Sequence, residues 1–125
     1  MRAAGNLELR SPDDLVTLRA HVLTAASGAG VEQARAEALT VAANEIATNV
    51  LVHGGGSGSV SMAYDQTVFY VEIADHGPGF DQHLQSAPNT TQIGGRGLWM
   101  ASRLCDHVDI DSSPAGTVVR LGVKI

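Results

Sequence analysis

Cysteine, lysine and aromatic residues are all scarce in this sequence. The single cysteine, Cys105, excludes an intrachain disulfide framework and a multi-cysteine zinc site. The single lysine, Lys124, lies one residue from the end. With no G-x-x-x-x-G-K-[ST] run, neither a P-loop nor the lysine of a eukaryotic-type kinase is present. No G-x-G-x-x-G follows a strand pattern, which removes the dinucleotide fingerprint. Trp99, Tyr64, Tyr70, Phe69 and Phe80 are the only aromatics, so the core has to be built from Ala, Val, Leu and Ile. The eight basic residues are scattered and the formal net charge is -5. Non-specific binding to nucleic acid or to an anionic membrane needs clustered cations, so neither partner is expected. No apolar run approaches the roughly 18 residues of a spanning helix, and residues 1–5 lack the apolar stretch of a signal peptide. A cytoplasmic location is the expectation.

What is present fits one domain over residues 1–125, with 44% hydrophobic residues. Asn6–Arg10 alternates as a short strand does. Ser11-Pro12-Asp13-Asp14 reads as a helix start, with Ser11 as N-cap and Pro12 in the first position, the helix running to about Ala26. Val31 to about His53 contains no Gly or Pro, and at 100° per residue Leu39, Ala42, Ala43, Ile46 and Val50 share one face. Gly54 to Gly58 has linker composition, but strands follow it, so a wide loop inside the domain is the better reading. Ser59–Asp65 and Val68–Ala74 form a predicted hairpin turning at Asp65-Gln66, the second arm apolar enough for a central strand. Phe80–Ile93 reads as a mobile polar loop. A helix from Leu98 to about Asp106 precedes two strands, His107–Asp111 and Thr117–Val123, joined by a turn at Ser112–Gly116. This order predicts an α+β fold, a two-layer sandwich with helices on one face of a mixed or antiparallel sheet.

Three features can carry chemistry. Glu45 and Asn49 stand four apart on the second helix, so they project from one side, beside the apolar stripe. A carboxylate next to a carboxamide there offers a base beside a metal-oxygen ligand, or only a solvated boundary pair. Asp75-His76-Gly77-Pro78-Gly79 follows the most apolar strand. It offers a hydrogen-bond acceptor with backbone that a flat ligand can approach closely, or only a Gly/Pro turn. Gly94-Gly95-Arg96-Gly97 opens a helix, where free N–H groups and the helix dipole favour an anion, or where the chain is simply flexible. Without a P-loop, any bound phosphates fall to a metal, to backbone amides at a helix start, and to arginine.

The order of these features is more specific than any one of them. Glu45…Asn49 on a helix, Asp75-x-Gly77-x-Gly79 after a strand, Gly95-x-Gly97 before a helix and Gly116-Thr117 entering the last strand resemble the GHKL (Bergerat-fold) ATPase superfamily, from its N box through its glycine boxes. Asn44–Asn49 with His53, Asp75–Phe80, Gly94–Trp99 and Gly116–Leu121 are most similar to the small bacterial serine/threonine kinases that act as anti-sigma factors. The resemblance spans nearly the whole chain. It implies ATP as ligand, with Mg²⁺ held by Asn49 and Glu45 as the base that orients or deprotonates the attacking hydroxyl. It also implies that Asp75 accepts the adenine amino group against Gly77 and Gly79, and that Thr117 supports the adenine end. Gly95 and Gly97 would form the hinge and phosphate-facing end of a lid, Phe80–Ile93, with Arg96 as a phosphate ligand and Leu98 also among the nucleotide-binding residues. His53 contacts phosphate or only ends its helix; the residues leave both open. Trp99, Leu104 and Cys105 are expected to be packing residues.

Two functions follow from the resemblance. One is a kinase that phosphorylates a serine of a STAS-type anti-anti-sigma partner and silences a sigma factor, commonly as a homodimer. The alternative is a non-catalytic, nucleotide-dependent partner-binding module, with Glu45 merely structural. A self-sufficient histidine kinase is not expected, because no second helical hairpin carries a phospho-accepting histidine, and 125 residues leave no room for the further domains of gyrase-type or Hsp90-type relatives.

Overall fold

The computed structural model describes residues 1–53, 55–75 and 96–125. Its elements in chain order are β1 (Arg2–Leu9), α1 (Asp13–Gly28), α2 (Gln33–His53), β2 (Gly58–Tyr64), β3 (Val68–Asp75), α3 (Arg96–Leu104), β4 (His107–Ser113) and β5 (Gly116–Lys124). The strands form one five-stranded sheet in the order β1-β2-β3-β5-β4. Every neighbouring pair is antiparallel, which resolves the expected mixed or antiparallel sheet in favour of the second. The fold is an α+β sandwich, and β3 is the central strand, as its apolar sequence predicted.

Side-chain alternation sets the faces. On β3, Phe69, Val71, Ile73 and Asp75 are buried while Tyr70, Glu72 and Ala74 are only half-buried. Successive strand residues point to opposite faces, so the buried set faces the helices. Across the ladder, Val60, Ile73 and Val119 make one buried row and Met62, Val71 and Leu121 the next. On α2, Leu39, Ala42, Ala43, Ile46 and Val50 are all buried, the stripe that helical spacing placed on one face, and Ala36 and Ala47 join it. Alanine lets α2 lie close over the sheet, where each fully buried Leu, Ile or Val contributes about 1.5–3 kcal/mol.

Local chemistry fixes the joints. At the start of α1 the expected Ser11 cap is absent; instead Asp14 Oδ2 reaches back to accept the N–H groups of Arg10 at 2.8 Å and Ser11 at 3.1 Å and ties the incoming chain to the first turn. The helix ends two residues later than expected, with Gly30 at φ +102, Gly30 N–H donating to Ser27 O and Val31 N–H to Ala26 O. That is a Schellman ending, in which glycine alone takes the left-handed position without strain. In the β2–β3 turn, Asp65 Oδ1 accepts N–H bonds from Thr67 and Val68, each at 2.8 Å. β1 reaches four residues further back than its alternation indicated, because an edge strand with a bulge between Ala3 and Gly5 need not alternate.

Candidate functional site

The two buried polar residues among the described residues are Asp75 and Thr117. Ala74 pairs with Val118 across the β3–β5 ladder, so Asp75 and Thr117 fall on neighbouring strands one step beyond that pair. Gly58 pairs with Asp75 on the other side, and Leu9 with Gly58. Ser112 pairs with Thr117 on β4. One row, Leu9–Gly58–Asp75–Thr117–Ser112, thus crosses the whole sheet at the end where β3 stops. It is polar at its centre, where the neighbouring rows are aliphatic.

The end of α2 lies over this row. A Cβ on Gly58 would fall 2.7 Å from Val50 Cγ1 and would overlap the Ala74 carbonyl oxygen. The missing side chain therefore admits the last turns of α2 to the sheet. Val50 is buried there, and Glu45 and Asn49, on the same half of the helix, are both half-buried at the margin of the apolar stripe. Asn44 is tied to α1, its Oδ1 accepting from Arg19 Nη1 at 2.8 Å, and its carbonyl accepts from Thr48 Oγ1 at 2.7 Å. His53 closes α2 and is exposed.

The orientation of α3 follows from its far end. Two residues past α3, Asp106 binds Arg35 Nη1 at 2.9 Å near the start of α2 and accepts the Lys124 N–H at 2.7 Å at the end of β5. Those are the elements' ends remote from the Asp75 row. Nine helical residues span about 13 Å, and α3 packs along α2, so its first residues lie toward the Asn44–Asn49 half. Three of the expected groups are thus brought to one end of the fold: Glu45 with Asn49, Asp75 with Thr117, and the start of α3 at Arg96, Gly97 and Leu98. Leu98 is half-buried against the core. Gly77, Gly79, Gly95 and the expected lid at 80–93 lie outside the described residues.

Charge states divide the acids by their partners. Asp106 is held below the ordinary carboxylate value, first by the Lys124 N–H and then by Arg35. Backbone N–H bonds from Thr67 and Val68 do the same for Asp65. Burial, with Asp106 alongside, pushes the Cys105 thiol up to about 12. Cys105 and Leu104 pack against the core as expected. Trp99 does not: it is 60% exposed, with the Arg103 guanidinium 5.2 Å from its ring centre. The expectation that it packs inside rested on residue type, and its position on a short helix with only one covered side overrides that.

Two contributors went unnoticed in the sequence. Gly58 was read as the end of a loop, although a glycine entering a strand is itself a mark of close backbone approach. Ser112 was read as a turn residue; its signal was symmetry, since Ser112 and Thr117 flank the Ser113–Gly116 hairpin end.

The three described helices on a five-stranded antiparallel sheet form an α+β sandwich consistent with the GHKL ATPase fold. A scan of protein families matches residues 10–123 to the histidine kinase-like ATPase domain. The chain belongs to that family, and membership implies ATP as its ligand. No curated protein sequence matches. Among solved structures, the chain is similar to that of the RsbU and RsbW domains of Rv1364c from Mycobacterium tuberculosis, with TM-score 0.69 and 18% identity over 95% of this chain. The match spans about a third of that protein, 32% of its chain. It is also similar to the SiaB–SiaC complex from Pseudomonas aeruginosa, with TM-score 0.67 and 12% identity, covering 98% of this chain and 90% of the other. At these identities the likeness establishes the fold. No described helix is long and apolar enough to cross a membrane.

Proposed function

We propose that this chain is an ATP-dependent protein serine/threonine kinase that acts as an anti-sigma factor, transferring the γ-phosphate of ATP to a serine of a STAS-type partner protein. The observation that carries the reading is the placement of Glu45 one turn before Asn49, on the half of α2 that lies over the Asp75–Thr117 row. A purine held at Asp75 and Thr117 directs its phosphates toward α2 and the start of α3, where a carboxylate and a carboxamide stand together. A pure binding module has no need of the carboxylate.

The donor set suits the chemistry. Asp75 accepts from the exocyclic amine of the base, and Thr117 gives its hydroxyl to the ring edge. Glu45 orients the acceptor serine hydroxyl and takes its proton as the serine oxygen–γ-phosphorus bond forms and the bond from the γ-phosphorus to the bridging oxygen of the departing ADP breaks. The neutral oxygen of Asn49 fits a hard cation, so Asn49 would hold Mg²⁺, which supplies charge neutralisation of the phosphates when bound. In this reading Arg96 and Gly97 belong to the phosphate end, where the N–H groups opening α3 favour an anion. His53, exposed at the end of α2, is within the same region and serves phosphate contact or helix termination. Gly77, Gly79 and Gly95 complete the base and lid contacts in this reading.

The partner side of the proposal is a sigma factor, a STAS-domain protein and a second copy of this chain. That one similar fold was solved as a two-protein complex, SiaB–SiaC, supports partner binding as the mode of action. The deciding experiment incubates the protein with γ-labelled ATP and a STAS-domain protein. Label on a partner serine supports the kinase. ATP binding without any transfer supports the alternative, a nucleotide-gated binding module in which Glu45 is structural.

A further inference from the structure

Ser112 is the cross-strand neighbour of Thr117, and their hydroxyl oxygens lie 3.0 Å apart. A hydroxyl has one hydrogen to give and two lone pairs to receive, so this contact runs in one of two directions. If Thr117 donates to Ser112, the buried Thr117 oxygen shows only lone pairs to anything else. If Ser112 donates, the Thr117 hydrogen is released to point elsewhere. Exposure differs sharply between the two: Thr117 is buried and Ser112 is exposed. Water can satisfy the Ser112 lone pairs, which leaves its hydrogen available to Thr117, whereas Thr117 has no such supply.

The geometry points to Ser112 as a positioning residue that turns the Thr117 hydroxyl hydrogen toward the bound base and so selects adenine; this rests on the nucleotide reading given above. With the hydrogen released, the row presents Asp75 as an acceptor and, on the next strand, Thr117 as a donor. Adenine offers the matching edge, an amine hydrogen at N6 beside a bare N1. Guanine and hypoxanthine offer the reverse, an oxygen at O6 beside an N1 hydrogen. In the opposite direction Thr117 would set a second acceptor beside the Asp75 carboxylate, and N1 of adenine would face lone pairs. A site built to hydrogen-bond one edge discriminates strongly, because the wrong base leaves buried polar groups unmatched.

Calorimetric titration of ATP and of inosine triphosphate into the full chain tests this. Wild type is expected to favour ATP. Ser112→Ala is expected to narrow that preference about three- to tenfold, mostly through weaker ATP binding, the range of one hydrogen bond. Ser112→Thr keeps the hydroxyl and restores the preference, and the Mg²⁺ dependence of binding stays unchanged in both variants. Ser112→Ala takes a partner from the buried Thr117 hydroxyl, so a small loss of thermal stability without nucleotide accompanies it, whereas Ser112→Thr is expected to unfold as wild type does. An ATP-to-inosine-triphosphate ratio identical in wild type and Ser112→Ala overturns the role of Ser112 while leaving the ATP site standing. Failure of wild type to bind either nucleotide overturns both.

Discussion

Gly58 stands opposite Asp75 across the β2–β3 ladder, and the side chain it lacks is the space that Val50 of α2 occupies. The end of the central strand that carries Asp75 thereby lies near the half of α2 that carries Glu45 and Asn49. A chain with any other residue at this point would hold α2 away from the sheet end.

Gly58→Ala is accordingly a packing test of the site. The added methyl meets Val50 Cγ1 at 2.7 Å and the Ala74 carbonyl oxygen, which is backbone and cannot swing aside. Overpacking of this kind costs about 1–3 kcal/mol. Urea unfolding should show that loss with an unchanged m-value, and wild-type stability would mean that α2 sits further from β2 than described.

Glu45 and Asn49 share one side of α2 but are assigned different work, so their variants should separate. Glu45→Ala is expected to abolish phosphoryl transfer to the partner while ATP affinity stays within a few-fold. Asn49→Ala is expected to remove the Mg²⁺-dependent part of ATP binding, measured by titration with and without the metal. Equal losses of binding in both variants would contradict the division of roles.

Asp106, in the connection between α3 and β4, joins two elements, accepting from Arg35 on α2 and from the Lys124 N–H on β5. Its partners favour the charged form, which holds its folded-state value below the ordinary 3.8. The folded chain therefore takes up that proton less readily than the unfolded chain. Its stabilisation is complete above about pH 4 to 5 and fades as pH falls through 3.8 and below. At neutral pH, Asp106→Asn should lose about 1 kcal/mol, a modest figure because the pair is partly solvated. Denaturation midpoints of the two proteins should converge in acid; a gap that persists unchanged would argue against an ion-dependent role.

Cys105 should behave as an inert thiol. Its value near 12 leaves almost no thiolate at neutral pH, and the thiolate is the species that reacts. Alkylation by iodoacetamide is expected to be negligible in the folded protein and prompt in urea. Rapid labelling under native conditions would show that the α3–β4 junction opens readily.

Trp99, the sole tryptophan, gives an optical check on α3. At 60% exposure its emission should be close to that of free indole and readily quenched by acrylamide, and Trp99→Ala should cost little stability. Blue-shifted, unquenchable emission would mean that another surface covers it.

Much of the site was legible because it depends on spacing. Glu45 and Asn49 had to share a side of any helix that contains both, and the apolar positions 39, 42, 43, 46 and 50 had to share a face. The turn at Asp65 was legible because its carboxylate captures its own backbone two and three residues on. Trp99 was misplaced because residue type says that a side chain is apolar without saying whether any neighbour covers it. The start of β1 escaped notice because an edge strand with a bulge obeys no alternation.

The sequence by itself determined most of the elements, the stripe on α2 and the spacing inside each box, since these are set by contacts within a few residues, and the order of the boxes along the chain pointed to the family. Only the tertiary structure decided that Asp75 and Thr117, 42 positions apart in the chain, are neighbours, that Ser112 stands behind Thr117, and that Gly58 admits α2 to them. The reason is physical. Strand register and the closeness of helix to sheet are settled by packing across the whole core, where a missing methyl group on one strand fixes how near a helix formed elsewhere in the chain can come.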